Sequence, residues 1–317
     1  MRGVNAGVAL CAPSTSRSAS RTAFAVCEKR SFFQPLARAR AHAATVTAAS
    51  LSSDADAVEP WERFYLAHSK SGAKGHDVAA FKDRHYLRKV FSELVDDEAR
   101  AAPETFRPAL VPEDLGDVDD AHSIDVMELG CGVGNSVFPL LRANLNMRVI
   151  AVDCSQTAIA SLKANPEFDS RRLRTAVVDA SKVDSLKGFV EDASLDAVTA
   201  VFFFSALTED GLRNATAEIA RTLRSGGVLL FRDYARGDVK ENEESEFVPG
   251  SKAGDERTYR RSGGTLAVFF EEDELANVFD EFGLKGECEI VEHVITNRKL
   301  GISMTRKFVQ GRFVKRQ

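Results

Sequence analysis

Residues 126–135 read Val-Met-Glu-Leu-Gly-Cys-Gly-Val-Gly-Asn, a short apolar run that ends in alternating glycines and leads directly into the helix-like segment 136–145. This order predicts a buried strand, a tight turn and the N-terminus of a helix. The glycines allow unusual backbone angles and carry no Cβ that would block a ligand lying against the turn. The stretch therefore predicts an α/β fold that holds an adenosine-bearing ligand.

The spacing of these glycines separates two classes of cofactor. Dinucleotide-binding loops read G-x-G-x-x-G and hold a pyrophosphate at a helix N-terminus. Here the third glycine comes one residue earlier and Glu128 precedes the first, so the loop resembles motif I of the class I S-adenosylmethionine (SAM) methyltransferases. In that superfamily the acid lies near the methionine moiety, whose amino group is cationic. The resemblance implies SAM as the cofactor, with a nicotinamide cofactor as the alternative.

Two further acids follow strand-like segments. Asp153 ends segment 147–152 and lies 23 residues after Gly130, the separation expected of a ribose-binding acid. Asp179 follows segment 173–178, and in the superfamily an Asp at this position binds the adenine amino group. An Asp after a strand is usually a turn former or helix cap, so only the joint spacing supports these roles. The predicted cofactor-binding residues are Glu128, Gly130, Gly132, Gly134, Asn135, Asp153, Cys154, Asp179, Ala180 and Phe202.

Composition agrees with one catalytic domain plus additions. The 317 residues are 44% hydrophobic and 28% charged, which is enough for a full globular core. No apolar run is long enough to cross a membrane. The five cysteines are scattered and lack C-x-x-C spacing, so we predict no disulfide framework and no metal site.

The first 50 residues differ from the rest of the chain. They carry six Arg and one Lys against a single acid, Glu28, and are rich in Ala, Ser and Thr. This composition is typical of an organellar transit peptide, and it favours a chloroplast slightly over a mitochondrion; a disordered basic tail is the alternative. Because the whole chain has a net charge of −5, the remainder carries about −11.

Further along the chain, strand-like and helix-like segments alternate, which predicts a parallel, doubly wound sheet. The predicted later strands are 195–204, 228–231 (after a turn at 224–227), 287–296 and 305–314, and the predicted helices are 183–191, 208–223 and 271–282. Region 259–270 predicts a hairpin that turns at 262–264. The predicted class is a Rossmann-like α/β methyltransferase fold whose seven-stranded sheet has, from the resemblance, an antiparallel last strand.

Several segments outside the glycine loop narrow the resemblance. They are Trp61-Glu-Arg-Phe-Tyr65, Phe81-Lys-Asp-Arg-His-Tyr-Leu87, Leu230-Phe-Arg-Asp-Tyr-Ala-Arg-Gly-Asp238 and Tyr259-Arg-Arg-Ser-Gly-Gly-Thr265. Together they resemble the methyltransferase-like 2/6/8 family, the tRNA N3-methylcytidine methyltransferases, over roughly residues 59–315. The resulting organisation is a transit peptide or disordered segment over 1–55, an N-terminal helical lid and linker over 56–120, and a methyltransferase domain with a β-hairpin insertion over 121–317.

The resemblance implies methylation of cytosine N3 in tRNA, of the anticodon-loop type. The predicted catalytic residues are Asp233, as the carboxylate beside N3, Tyr234, as a ring that stacks on the base, and Arg232. Phe203 or Phe204 is a further stacking candidate. The alternatives are that the run 202–204 is core and that Asp233 pairs with Arg232 or Arg236. The predicted RNA-binding residues are Phe81, Lys82, Asp83, Arg84, Arg236, Arg260 and Arg261.

Two observations leave the substrate open. The chain has Tyr86 where the family has Trp, only one Phe before Lys82, and about ten extra residues around 71–80. Its acidity would also repel a polyanion, although seven Lys or Arg without an acid lie between Arg298 and Arg316. An aminoacyl-tRNA synthetase, which the family resemblance suggests as a partner, would supply RNA affinity. The alternatives are a methyltransferase for a small molecule or protein, and a non-catalytic protein with the same fold.

Overall fold

A computed structural model describes residues 58–69, 83–95, 100, 123–241, 245–247, 258–261, 263–297 and 301–317. The transit-peptide prediction for 1–55 and the RNA-binding predictions for Phe81 and Lys82 lie outside these residues. The predicted domain boundary at residue 120 also lies outside them, and it stays a prediction.

The described residues form a seven-stranded sheet and a smaller sheet of three strands. The strands are β1 (Ile124–Leu129), β2 (Met147–Asp153), β3 (Leu173–Val177), β4 (Leu195–Val201), β5 (Leu223–Tyr234), β6 (Ser245–Phe247), β7 (Thr258–Arg261), β8 (Leu266–Val268), β9 (Leu284–Asn297) and β10 (Ile302–Lys315). The large sheet has the order β3-β2-β1-β4-β5-β10-β9, and the smaller sheet consists of β6, β7 and β8. Strands β1 to β5 are parallel, and β10 is antiparallel to both of its neighbours. The predicted Rossmann-like sheet with an antiparallel last strand is confirmed.

Six α-helices lie within the described residues. They are α1 (Val58–Ser69), α2 (Leu87–Val90), α3 (Val137–Ala143), α4 (Gln156–Lys163), α5 (Glu209–Thr222) and α6 (Glu274–Glu281). Thr208 caps α5 by accepting a hydrogen bond from the backbone N–H of Gly211, and Ser155 caps α4 in the same way. None of the helices in the described ranges is long and apolar enough to span a bilayer.

Buried acids have different partners at the two ends of the strands. At the amino ends of the strands, Asp125 pairs with Arg148 at 2.7 Å and Asp196 pairs with Arg224. At the carboxyl ends, the buried acids Asp153 and Asp233 accept hydrogen bonds from backbone N–H groups instead. Acids of this second kind keep part of their hydrogen-bonding capacity for a ligand, and open α/β sheets bind ligands at this edge.

Three predicted elements differ from those in the structure. The helix predicted over 183–191 is wrong: these residues form turns, because Asp184 (φ 54°) and Gly188 (φ 77°) take left-handed angles. Strand β4 ends at Val201 rather than at residue 204, because Phe202 also has a positive φ, of 57°. The predicted turn at 224–227 is the irregular beginning of β5, where the pairing with β4 shifts register.

The predicted hairpin is confirmed and belongs to a larger unit. Strands β7 and β8 pair antiparallel, and β6 pairs with the outer side of β7. Strand β6 was not predicted, because the surrounding acidic run looks like solvated surface. The helix after the hairpin begins at Glu274, three residues later than predicted.

Candidate cofactor and substrate cavity

A cavity of about 960 Å³ opens at the carboxyl ends of the central strands. Its wall joins the glycine loop, α1, the hairpin turn and the first half of β10. The predicted site residues in the wall are Arg84, Gly130, Gly132, Asn135, Asp153, Cys154, Asp179, Ala180, Phe202, Tyr234 and Arg261. One cavity therefore brings together predicted cofactor-binding and substrate-binding residues.

The glycine loop needs glycine for two separate reasons. Gly130, Gly132 and Gly134 have φ values of 64°, 54° and 93°, where other residues are strained. A Cβ on Gly132 would lie 2.6 Å from the hydroxyl of Tyr65, and one on Gly134 would lie 2.5 Å from the ring of Phe138. Gly130 and Gly132 thus shape the cavity floor, whereas Gly134 allows α3 to pack against the loop.

Asp153 joins the glycine loop to the exit of β2. Its Oδ2 accepts a hydrogen bond from the N–H of Gly132 at 2.8 Å, and its Oδ1 accepts one from the N–H of Ser155 at 2.9 Å. Burial raises the pKa of Asp153 to about 6, and the hydrogen bonds from Ser155 and Gly132 offset only part of this effect. At neutral pH the carboxylate is charged and faces the cavity.

Asp179 lies half-buried at the far end of the same wall. Its Oδ1 accepts hydrogen bonds from the N–H of Ser181 at 3.1 Å and from the Ser181 hydroxyl at 2.5 Å. The neighbouring wall contains Cys154 and Ala180. Burial raises the pKa of the Cys154 thiol well above its usual range, so this side chain stays protonated and serves as an apolar surface.

Glu128 lies beneath the loop rather than in the cavity wall. Its side chain is only 1% exposed, and its Oε1 has no hydrogen-bond partner. Burial raises its pKa to about 7, although the charge of Arg84 and hydrogen bonds with Ser136 and Thr199 act in the opposite direction. A buried carboxylate oxygen without a partner suits a ligand that brings a positive charge.

These observations fit the cofactor that the sequence implies. A Cβ on Gly130 or Gly132 would displace Phe203 or Tyr65, which line the cavity, and Asp153 and Asp179 supply acceptors for hydroxyl and amino groups. The orphaned oxygen of Glu128 lies below the loop, where an ammonium group would complete its hydrogen bonding. The roles of the individual residues toward SAM stay predictions.

The N-terminal helix α1 forms a wall that the sequence reasoning did not assign to the site. Trp61, Phe64, Tyr65 and His68 all line the cavity. Their spacing of three and four residues places them on one helix face, and this aromatic pattern is the signal that would have found them. Tyr65 is 6% exposed and lies against Gly132. Helix α1 therefore covers the cofactor loop.

Aromatic rings and guanidinium groups form the other end of the cavity. The rings of Phe202 and Tyr234 lie 4.9 Å apart, and Phe308 lies 5.7 Å from Phe202. The Arg84 guanidinium lies 5.2 Å from the centre of the Phe202 ring, and that of Arg261 lies 5.4 Å from the Tyr234 ring. Such a surface offers π-faces and positive charge together, which is what a nucleotide requires.

Arg306 and Phe308 in this wall were not predicted individually. Phe308 pairs with Tyr234 in the β10–β5 register, so the last strand brings both residues to the cavity. Arg306 lies 5.2 Å above the Phe308 ring and binds Asp238 through its Nε at 2.9 Å. The basic character of segment 298–316 was the available signal, but the pairing with β5 decides which residues face the site.

Two predicted catalytic residues lie behind the wall. Asp233 is fully buried; its Oδ2 accepts from the N–H of Ser205 at 3.0 Å and its Oδ1 from the N–H of Tyr234 at 2.9 Å. Burial raises its pKa to about 6. Arg232 is also buried; it donates to Gln310 and lies 4.4 Å from the Phe308 ring. Asp233 therefore holds the backbone around Tyr234, and the alternative pairing with Arg232 or Arg236 is not what the structure shows.

Phe203 and Phe204 differ from each other. Phe203 is 8% exposed and packs beneath Gly130, within the cavity wall. Phe204 is completely buried, and its ring contacts those of Phe231 and Phe279. Phe204 thus has no free face for a base, as the core interpretation proposed.

Among the described residues, the remaining predicted RNA-binding residues are Asp83, Arg236 and Arg260, and they lie outside the cavity wall. Asp83 binds Arg142 at 3.1 Å and Asn135 at 3.4 Å, so it anchors its segment to α3. Arg236 pairs with Glu241 and lies 3.5 Å from Glu271, and Arg260 donates to the carbonyl of Gly264 at 3.3 Å.

Ion pairs also reduce the basic character of the last strand. Lys307 pairs with Glu292 at 2.9 Å, and Arg312 pairs with Glu93 at 3.1 Å. The predicted basic surface is therefore partly neutralised in the described chain.

Comparisons with known proteins agree with this geometry. Residues 126–227 match the family described as "Methyltransferase domain". The tRNA N(3)-methylcytidine methyltransferase trm140 of Schizosaccharomyces pombe is 32% identical over 257 residues, which cover 80% of this chain and 73% of the relative. The tRNA N(3)-cytidine methyltransferase METTL2 of Danio rerio is 34% identical over 277 residues, 83% of this chain and 74% of the relative.

METTL6 of Mus musculus, also a tRNA N(3)-cytidine methyltransferase, is 31% identical over 261 residues, which cover 82% of this chain and 81% of the relative. A solved structure described as "Conversion of a Disulfide Bond into a Thioacetal Group during Echinomycin Biosynthesis" superposes with a TM-score of 0.52 at 17% identity and covers 82% of this chain and 92% of its own. At that identity the likeness concerns the fold alone.

Proposed function

Because the chain belongs to the tRNA N(3)-methylcytidine methyltransferase family, we propose that it methylates N3 of a cytosine in tRNA. It is a SAM-dependent methyltransferase. The observation that carries the proposal is the single cavity that joins the glycine loop and its acids to the wall of Phe202, Tyr234 and Phe308. The cytosine sits against the aromatic end of this cavity, beside the cofactor.

Three acidic residues each bind a different part of SAM. Glu128 provides the negative charge beneath the loop for the amino group, Asp153 accepts from the ribose hydroxyls, and Asp179 accepts from the adenine amino group. When bound, SAM supplies an electrophilic methyl group. Helix α1 and the hairpin turn close the cavity and keep water out.

The substrate base requires positioning more than proton transfer. Cytosine N3 carries a lone pair in the ring plane and is engaged in base pairing in a duplex, so the base must be unpaired or flipped out. Tyr234 and Phe202 then stack on it and direct N3 toward the cofactor. Alignment of two reactants alone contributes on the order of 7 to 11 kcal/mol.

The developing charge is stabilised by the same rings. Methylation converts the neutral pyrimidine into a cation, and an aromatic face attracts a cation more strongly than a neutral ring. Asp233 acts as a positioning residue: by accepting from the N–H groups of Ser205 and Tyr234 it fixes the backbone that carries the Tyr234 ring.

RNA affinity beyond the base comes from Arg84 and Arg261 in the wall and from a partner. Because several other cations are ion-paired and the chain after residue 50 has a charge of about −11, an aminoacyl-tRNA synthetase supplies the additional basic surface. The Arg-rich, acid-poor N-terminus supports an organellar location, with a chloroplast slightly favoured.

The same ion pairs favour a second candidate, a SAM methyltransferase for a small molecule or protein. To separate the two, the full chain is incubated with isotope-labelled SAM and total organellar tRNA, with and without organellar extract, and the RNA is digested to nucleosides. The proposal expects label in 3-methylcytidine. Label that appears in small molecules or proteins, with none in 3-methylcytidine although SAM binds, supports the second candidate instead.

A further inference from the structure

Helix α1 is fastened to the cofactor domain by one carboxylate. The Oε2 of Glu62 accepts a hydrogen bond from the hydroxyl of Ser155 at 2.6 Å and one from the backbone N–H of Thr157 at 3.2 Å. Its Oε1 accepts from the Thr157 hydroxyl. We call these three hydrogen bonds the α1 latch. They join residues more than 90 positions apart in the sequence.

The latch is placed at the N-terminus of α4. Backbone N–H groups in the first turn of a helix lack intrahelical partners, and the helix dipole favours a negative charge there. Burial works against the charge of Glu62, but the hydrogen bonds from Ser155 and Thr157 outweigh it and lower its pKa. The carboxylate is therefore ionised and strongly bonded at neutral pH.

The residue that holds the latch also supports a cofactor acid. Ser155 donates its hydroxyl to Glu62 and its backbone N–H to the Oδ1 of Asp153, at 2.6 Å and 2.9 Å. One turn further along α1, Tyr65 lies against Gly132. The latch thus holds α1 over the glycine loop. Its Ser155 also donates to Asp153, which faces the cavity.

The exposed ion pair of this helix lies within α1 and does not attach it to the cofactor domain. Glu59 and Arg63 are separated by 3.9 Å, and their side chains are 75% and 61% exposed. Exposed pairs of this kind contribute little to stability.

We propose that Glu62 is a positioning residue whose latch holds α1 closed over the bound cofactor and so sets how long the cofactor stays bound. The inference rests on the cofactor part of the proposed function and is independent of the RNA substrate. Cofactor leaves when the latch opens; loss of the latch therefore speeds dissociation more than it slows association.

The chain contains its own reporter of this motion. Trp61 is the only tryptophan among the 317 residues, and it lies on α1 in the cavity wall, 5.5 Å from the ring of Phe64. Its fluorescence reports both the binding of S-adenosylhomocysteine and the position of α1. Stopped-flow mixing then gives the association and dissociation rates of this ligand without a label and without RNA.

The test compares Glu62→Ala with Glu59→Ala, which removes an exposed acid from the same helix. Loss of a hydrogen-bonded charge of this kind corresponds to roughly ten- to hundredfold, so we expect dissociation from Glu62→Ala to be faster by that factor. We expect no change for Glu59→Ala. Thr157→Val removes one hydroxyl of the latch and should give a smaller increase; it carries the test if Glu62→Ala does not fold.

Three outcomes separate the possibilities. Faster dissociation from Glu62→Ala or Thr157→Val, with Glu59→Ala unchanged, supports the latch. Dissociation rates within twofold of the parent chain in folded latch variants overturn it. A parent chain that binds no S-adenosylhomocysteine overturns the proposed cofactor site itself.

Discussion

The carboxylate of Asp153, at the end of β2, accepts a hydrogen bond from the backbone N–H of Gly132, in the loop after β1, at an N···Oδ2 distance of 2.8 Å. This bond spans two neighbouring strands and fixes the two loops of the cofactor site relative to each other. The parallel pairing of β1 with β2 places both the loop and the acid at one end of the strands.

Gly132→Ala should weaken the binding of S-adenosylhomocysteine at least tenfold. The new Cβ would meet the Tyr65 hydroxyl, and the positive φ costs about 1 to 2 kcal/mol in addition. Gly188→Ala is the matched control, because Gly188 has a φ of 77° but open space around it. Isothermal titration should show normal affinity for the control. Equal affinity in both variants contradicts the role of Gly132 in shaping the cavity floor.

Glu128→Gln should change how stability depends on pH. Burial raises the folded pKa of Glu128 from 4.5 to about 7, so the folded state holds this proton more tightly than the unfolded state. The stability from this group is present below pH 4.5 and lost as the pH rises through 7. The parent chain should therefore lose up to about 3 kcal/mol relative to Glu128→Gln between pH 4.5 and 8.

Urea unfolding of both proteins at pH 5 and pH 8 measures this difference, and Asp233 titrates in both and cancels. A difference that does not change with pH contradicts the assignment. Binding should move in the opposite direction from stability, because the variant has lost the charge for the cofactor amino group.

Asp233→Ala should reduce methylation while cofactor affinity stays within twofold. Removal of the carboxylate leaves the N–H groups of Ser205 and Tyr234 without an acceptor, at about 1 to 3 kcal/mol for each buried group. Asp233→Asn keeps an oxygen acceptor for one of the two N–H groups and should restore part of the activity. Full activity of a folded Asp233→Ala protein would contradict the positioning role.

Tyr234→Ala should lower kcat/KM for tRNA by roughly ten- to hundredfold, the range for loss of one base-stacking ring. Tyr234→Phe keeps the ring beside Phe202 and should retain most of the activity. Cofactor binding, measured by titration, should be unchanged in both. Full activity of the alanine variant would place the base elsewhere in the cavity.

Arg261→Gln should weaken tRNA binding and reduce the slope of log K against log salt by about one, as expected for one phosphate contact. Arg213→Gln is the control, because Arg213 lies on the surface of α5 and pairs with Glu281 on α6. Fluorescence anisotropy between low and moderate salt measures both slopes. Identical slopes for the two variants would remove Arg261 from the RNA-binding surface.

Local patterns predicted the features that depend on near neighbours. The strand, the glycine turn and the helix after it follow one another within 20 residues, and Asp153 comes at the end of the next strand. The element borders were less predictable: residues 183–191 look helical, but Asp184 and Gly188 adopt left-handed angles there. Phe202 ends β4 in the same way and is thereby turned into the cavity.

By itself, the sequence of this chain determined the sheet, the cofactor and the family, because glycine spacing, buried apolar runs and acids at strand ends act over short stretches of backbone. Only the tertiary structure decided which charged side chains remain available to bind a ligand. Arg236 pairs with Glu241 and Glu271, Lys307 with Glu292 on the neighbouring strand, and Arg312 with Glu93 from a distant segment. Asp233 lies behind the wall, and Glu62 reaches the N-terminus of α4. The free energy of a charge depends on its burial and its partners, and folding sets both.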